Sequence, residues 1–167
     1  MSACEPLGAP RKAAILISST RAALGIYEDA SAPVIADWLQ EQNFDVIPAI
    51  VVPDGPSVGA ALQGLLLARP RVIITSGGTG LTPDDTTPEE TEPLLDRLVP
   101  GIMEALRATG REKTPLAALS RGHAGIAGDT FIVNLPGSPS GVMDGLTVLT
   151  PILEHICDQL EGRHAHH

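Results

Sequence analysis

Arg71-Val72-Ile73-Ile74-Thr75, running directly into Ser76-Gly77-Gly78-Thr79-Gly80, decides the fold. A short unbroken apolar run is what a strand buried on both faces of a parallel sheet requires, and the glycines mark where the chain leaves it. The polar loop continues to Thr86, longer than the about two to six residues that usually join strand to helix, a length that ordered loops reserve for function. It ends in Thr87-Pro88-Glu89-Glu90, where Thr87 as cap, Pro88 at the first helical position and Glu90 closing a capping box predict a helix.

The same alternation extends outward in both directions. Upstream, Ala13-Ala14-Ile15-Leu16-Ile17 reads as another buried strand, followed by polar Ser18-Ser19-Thr20-Arg21. Val34, Ile35, Trp38 and Leu39 recur at helical spacing between Ala32 and Gln42, with Ser31 available as N-cap. Phe44 to Val52 is strand-like apart from Pro48, which predicts a bend or an edge position. Pro53-Asp54-Gly55-Pro56 is a turn, and Val58, Ala61, Leu62, Leu65 and Leu66 mark the next helix. Downstream, a helix is expected over Pro100 to Ala108. Ala124-Gly125-Ile126 and Thr130-Phe131-Ile132-Val133 read as a hairpin around Gly128-Asp129, and residues 139 to 160 as a closing helix.

These elements predict a single three-layer α/β domain over residues 12–160. Helices flank a mostly parallel central sheet that carries a small hairpin, and the ends 1–11 and 161–167 are flexible. In such sheets ligands bind outside the carboxyl ends of the strands. Four polar segments, starting near Ser18, Pro53, Ser76 and Asn134, follow predicted strands.

Composition narrows the function classes. Of the 167 residues 43% are hydrophobic but only 2% aromatic, so Leu, Ile, Val and Ala must form the core. The net charge of -9, with no Lys/Arg run, argues against nucleic acid or an anionic membrane surface as partner. No apolar stretch approaches the roughly 20 residues of a membrane span and the start lacks a signal-peptide pattern, so a cytoplasmic protein is expected. Cys4 and Cys157 have no metal-ligand spacing, and His164, His166 and His167 read as a polar tail.

Gly77-Gly78-Thr79-Gly80 lacks the Lys-Ser/Thr ending of a Walker loop and the spacing of a dinucleotide fold. Its glycines permit a sharp turn that aims successive N–H groups at an anionic or heteroaromatic ligand, although a glycine-rich connector has the same composition. Asp84 and Asp85 lie in this loop and Asp54 in another strand-end turn. Carboxylates from separate segments suit Mg²⁺ on nucleotide phosphates, while Pro-Asp-Gly is also ordinary turn chemistry. Asn134-Leu135-Pro136-Gly137-Ser138-Pro139 is either a rigid pocket wall or a plain strand-to-helix turn. Ser120-Arg121-Gly122-His123 offers a guanidinium and an imidazole, for a phosphate or for a surface and packing role.

Taken together, Ser76-Gly77-Gly78-Thr79-Gly80, four residues, Asp85-Thr86-Thr87-Pro88-Glu89 and the later Asn134-Leu135-Pro136-Gly137-Ser138-Pro139 resemble the Mog/MoaB molybdopterin-binding family over nearly the whole domain. Ser18-Ser19-Thr20-Arg21 and Leu119-Ser120-Arg121-Gly122 are most similar to its actinobacterial Mog branch.

The resemblance implies transfer of AMP from Mg-ATP to the molybdopterin phosphate with release of pyrophosphate, by a homotrimer that serves a downstream molybdenum-insertion protein. It implies that Ser76, Gly77, Gly78, Thr79 and Gly80, with Pro136, Gly137 and Ser138, hold the substrate. Asp54 and Asp85 are then catalytic and hold Mg²⁺, and Ser18, Thr20, Ser120 and Arg121 are candidates for the nucleotide phosphates. A protein that binds and carries molybdopterin without activating ATP would share the same loop, and a role in metal insertion is a further alternative. Two departures stand out: Asp84 occupies a position that is Arg in many relatives, and Ala32 stands where the family pattern after Asp29 has Gly.

Overall fold

Alternate residues of the central strands point to opposite faces of one sheet. In the computed structural model, which describes residues 9–163, β1 (Lys12–Ser18), β2 (Asp45–Val46), β3 (Ile50–Val52), β4 (Val72–Ser76), β5 (Arg97–Leu98), β6 (Ala124–Ala127) and β7 (Thr130–Leu135) form that sheet. Its order is β2-β1-β4-β7-β6-β5, with β3 pairing β1 on the same edge as β2. β2 and β3 are the two halves of the predicted Phe44 to Val52 strand, parted at Pro48, which has no N–H for a ladder. The pairs among β1, β2, β3, β4 and β7 are parallel, and β5-β6 and β6-β7 are antiparallel.

The helices are α1 (Thr20–Ala23), α2 (Ser31–Glu41), α3 (Pro56–Leu67), α4 (Thr87–Thr91), α5 (Pro100–Arg111), α6 (Pro139–Leu149) and α7 (Leu153–Leu160). Two 3-10 turns, Glu92–Leu94 and Pro115–Leu119, complete the chain. On one face Ala13, Ile15, Ile17, Val72, Ile74, Phe131 and Val133 pack against α2, α5, α6 and α7; on the other Ala14, Leu16, Ile73 and Ile132 pack against α3. Each fully buried Ile or Leu contributes about 1.5–3 kcal/mol of transfer free energy, so these layers carry the fold without aromatics. Among the described residues no helix is long and apolar enough to cross a membrane.

Several expectations are corrected. Ser31 is the first residue of α2 and buried, not its cap; the Asp29 carboxylate accepts the N–H groups of Ser31 (3.2 Å) and Ala32 (2.8 Å) and caps the helix as a charged acceptor. Ala32 therefore sits inside the helix, where no glycine is needed. Thr87 does not cap α4, because its side chain is pulled into the core beneath Gly78, and its hydroxyl finds no partner. The capping box is not made, and the helix lasts five residues before tightening into the Glu92–Leu94 turn.

The closing helix is two, broken at Thr150-Pro151-Ile152, since a proline removes a helical hydrogen bond and clashes with the preceding turn. Trp38 Nε1 donates to Thr150 Oγ1 at 3.0 Å across that break. At the expected flexible ends, Arg11 donates to Asp158 (2.6 Å) and Glu161 (2.7 Å), joining β1 to α7. Residues 1–8 and 164–167, with Cys4, His164, His166 and His167, lie outside the described residues.

Candidate active site at the carboxyl edge of the sheet

The strand register sets the site. Ser76, the last residue of β4, pairs with Ile17 of β1 and Leu135 of β7, so Ser18, Gly77 and Pro136 emerge side by side one residue later. Val52 of β3 pairs with Ser18, which places Asp54 two residues beyond the same row. β1 lies between β3 and β4, and Ser18 at its end therefore meets both neighbouring loops.

Ser18 Oγ donates to Asp54 Oδ1 at 2.6 Å, while the backbone N–H and hydroxyl of Thr20 donate to Oδ2, both at 3.2 Å. Asp54 is thus fixed by β1 and the start of α1. On the other side, a Cβ on Gly77 would collide with the Ser18 carbonyl oxygen, and one on Gly78 would collide with Thr87 Oγ1 and stand 3.0 Å from Ser18 Oγ. With φ of 96° and 68°, both positions need glycine for backbone conformation as well.

Within the loop, Gly77 N–H is absorbed by Leu135 O at 3.1 Å, extending the sheet, and Ser76 Oγ donates to Pro136 O at 3.0 Å. Among the described residues, the N–H groups of Gly78, Thr79 and Gly80 find no protein acceptor. Three successive backbone donors are therefore uncommitted within the protein, starting one residue after Gly77. Gly137 touches the Gly77 Cα at 3.3 Å from its own missing Cβ, so the Pro136-Gly137-Ser138 segment forms the loop's other wall.

Asp85 lies across Gly80, where an added Cβ would stand 2.7 Å from its Oδ2. That oxygen accepts from Thr82 N (3.1 Å) and Thr82 Oγ1 (2.6 Å), and no hydrogen bond reaches Oδ1 among the described residues. No hydrogen bond joins Asp54 and Asp85. The described residues contain no group of three or more His, Cys, Asp or Glu side chains placed to enclose a metal. Mg²⁺ does not require one, since it is usually held by one or two carboxylates together with phosphates and water. Asp85 Oδ1 is uncommitted, whereas both oxygens of Asp54 accept hydrogen bonds from Ser18 and Thr20. Asp84 is exposed and makes no hydrogen bond among the described residues.

Arg121 is engaged with the glycine loop and with α4. Its Nε donates to Gly80 O and one terminal nitrogen to Asp85 O, both at 2.8 Å, and the other terminal nitrogen pairs with Glu89. Its backbone N–H donates to Thr79 O at 3.0 Å. Two directions of the guanidinium fork are committed to loop carbonyls and the third to Glu89 on α4, and that pairing holds the Glu89 carboxyl below its ordinary value. Ser120 Oγ lies 3.5 Å from Thr79 Oγ1 on the loop's inner side. Ser138 caps α6, accepting Gly141 N–H at 3.1 Å.

Sequence reading passed over two groups. Asn134, fully buried, donates to Thr75 Oγ1 (2.9 Å) and Thr91 Oγ1 (3.1 Å) and accepts His123 N–H (2.9 Å), joining β4, β7 and α4 beneath the site. A buried-type Asn at a strand end was the available signal. The other is a cavity of about 330 Å³ between α5, the Pro115–Leu119 turn and α6, bordered by Leu106, Lys113, Ser120, Pro136, Ser138 and Asp144. No sequence period marks it.

Comparison with known proteins agrees with this geometry. Residues 14–155 match the family described as probable molybdopterin binding domain. The chain is 39% identical over 151 residues to a molybdenum cofactor biosynthesis bifunctional protein of Synechococcus elongatus, covering 90% of this chain and 47% of that one. It thus spans about half the length of the bifunctional relatives it matches. A molybdopterin adenylyltransferase of Helicobacter pylori is 32% identical over 154 residues, covering 90% of this chain and 88% of that protein. The solved molybdopterin biosynthesis Mog protein of Mycobacterium ulcerans superposes with a TM-score of 0.86 at 51% identity, covering 90% of this chain and 99% of that one. With the strand order, the glycine loop and its two flanking segments in place, the chain belongs to the molybdopterin-binding domain family.

Proposed function

We propose that this chain is a molybdopterin adenylyltransferase. An oxygen of the molybdopterin phosphate attacks the α-phosphorus of ATP; the bond from that phosphorus to the bridging oxygen of the β-phosphate breaks, and pyrophosphate leaves with the electron pair. The product carries AMP in a new phosphoanhydride. The observation that carries this reading is the single row formed by Ser18, Gly77 and Pro136, with Asp54 hydrogen-bonded to Ser18 on one side and free N–H groups at Gly78 to Gly80 on the other.

Bringing two anions together in line is the main obstacle, and preorganised donors lower it without reorganising during the reaction. The N–H groups of Gly78, Thr79 and Gly80 receive phosphate oxygens, and Ser18 and Thr20 keep the Asp54 carboxylate in one orientation. Arg121 holds the Asp85 end of the loop in place through its carbonyls. Asp54 and Asp85 would hold Mg²⁺, which supplies charge neutralisation of the ATP phosphates. The reading includes a cytoplasmic homotrimer serving a molybdenum-insertion protein; its support is the sequence resemblance, and sedimentation of the purified chain checks the trimer.

Purified protein incubated with molybdopterin, ATP and Mg²⁺ is expected to release pyrophosphate. Asp85→Asn lowers kcat by about 100-fold, the order expected for losing one charged group that acts on the transition state, with molybdopterin affinity within a few-fold. Near-normal release by Asp85→Asn at limiting Mg²⁺ removes Asp85 from the mechanism. Binding of molybdopterin without any pyrophosphate release by the unaltered chain selects the carrier alternative.

A further inference from the structure

Asn134 commits both hydrogens of its side-chain amide inside the core. It is fully buried, as are Thr75, Thr87 and Thr91. Its Nδ2 donates to Thr75 Oγ1 at 2.9 Å and to Thr91 Oγ1 at 3.1 Å. The Thr91 hydroxyl donates in turn to Thr87 O at 2.7 Å, and Thr87 N–H donates to Gly78 O at 3.1 Å. A buried polar chain therefore runs from β7 through α4 to the glycine loop. A threonine hydroxyl bonded four residues back is ordinary in a helix, but here the same oxygen also accepts from Asn134, which ties the helix to the strand.

Asn134 also holds the segment that enters β6. Its Oδ1 accepts His123 N–H and its own N–H donates to His123 O, both at 2.9 Å. A Cβ on Gly122 would stand 2.7 Å from Asn134 O and 2.9 Å from Asn134 Cβ, so this segment lies directly against it. One residue before Gly122, Arg121 N–H donates to Thr79 O at 3.0 Å. The consecutive carbonyls of Gly78 and Thr79 are thus each anchored by a backbone N–H, and both anchors lead back to Asn134.

In a planar trans peptide the C=O and the following N–H point in opposite directions, and among the described residues no peptide bond is cis. Anchoring Gly78 O on α4 turns Thr79 N–H away from α4. Anchoring Thr79 O on Arg121 turns Gly80 N–H away from that segment. These are two of the three uncommitted donors of the loop.

We infer that Asn134 is a positioning residue for adenylyl transfer. Without touching substrate, it fixes the direction of the Thr79 and Gly80 N–H groups, through Thr91 and Thr87 on one side and through His123 and Arg121 on the other. The inference rests on the adenylyltransferase reading above, in which those groups receive phosphate oxygens. Donors aimed in advance stabilise charge that develops during the reaction, so a loss of aim appears in turnover more than in binding.

The test measures pyrophosphate release with molybdopterin, ATP and Mg²⁺. Thr91→Val keeps the shape of the side chain and cuts the arm to α4, whereas Thr91→Ser keeps the hydroxyl. Thr91→Val is expected to lower kcat about tenfold or more with KM for molybdopterin and for ATP within about threefold, and Thr91→Ser to hold kcat within about twofold. Asn134→Asp retains an acceptor for His123 but loses the paired N–H donors, and should lower kcat at least as far as Thr91→Val; if it does not fold, the two Thr91 variants decide. A purely structural role predicts a lower thermal midpoint with the turnover of the folded enzyme unchanged. A Thr91→Val enzyme with kcat within about twofold of the unaltered one therefore overturns the inference, whatever its thermal midpoint. So does a Thr91→Ser enzyme as slow as Thr91→Val. Either result leaves the adenylyltransferase reading standing, whereas an unaltered chain that releases no pyrophosphate overturns that reading and the inference with it.

Discussion

The loop from Ser76 to Asp85 and the cavity beside Asp144 adjoin through Ser120 and Pro136, yet they are held in different ways. The loop is shaped by backbone: positive φ at Gly77 and Gly78, the Ser18 carbonyl against one glycine, and Arg121 bonded to the carbonyls of Gly80 and Asp85. The cavity is shaped by side chains of elements far apart in sequence, from Leu106 on α5 to Asp144 on α6. Backbone donors suit phosphates, whose oxygens differ little from one another, whereas distinguishing one ring from another needs side-chain chemistry at fixed positions.

The contrast makes predictions of graded size. Gly78→Val forces a branched side chain into Thr87 and Ser18 at a φ of 68° and should reduce pyrophosphate release by more than about 100-fold, with about 1–3 kcal/mol of stability lost in urea titration. A fully active Gly78→Val enzyme would separate the loop's shape from its chemistry.

Arg121→Lys keeps the charge but loses the planar fork, and is expected to reduce turnover about tenfold. It also carries a pH signature. The Arg121 hydrogen bond lowers the Glu89 pKa from its ordinary 4.5, so the pair's contribution is present above that pH and lost as pH falls through the lower folded value. In Arg121→Lys the acid limb of thermal midpoint against pH should be shallower; an unchanged limb would leave the pair without influence.

The smallest effect belongs to Cys157, remote from both halves. Burial pushes its thiol up to about 11, so in a Cys4→Ser background iodoacetamide at pH 8 should alkylate it at least about 100-fold more slowly than in urea, with turnover unaffected. Rapid labelling of the native enzyme would mean that α7 opens.

Much of the fold was legible because its signals are local. Unbroken apolar runs located β1 and β4, Pro48 announced the broken edge strand, and Gly128-Asp129 marked the hairpin. Capping was less legible, since several polar residues near each helix start compete for the role. Asp29 displaced Ser31 through its charge, and packing under Gly78 withdrew Thr87 from the role at α4. At the site, the glycine loop could be read in advance, but Arg121 could not be assigned as its brace because a lone basic residue after a 3-10 turn has no distinguishing period.

By itself, the sequence determined the alternation of strand and helix, the glycine turn after β4 and the presence of a carboxylate in each of two strand-end loops, because periodicity and turn chemistry act over a few residues. Only the tertiary structure decided that Ser18 joins Asp54 to that turn, that Arg121 supports the loop and that Asp144 borders a cavity. Those contacts follow from strand order and register, which bring together the ends of strands far apart in the chain.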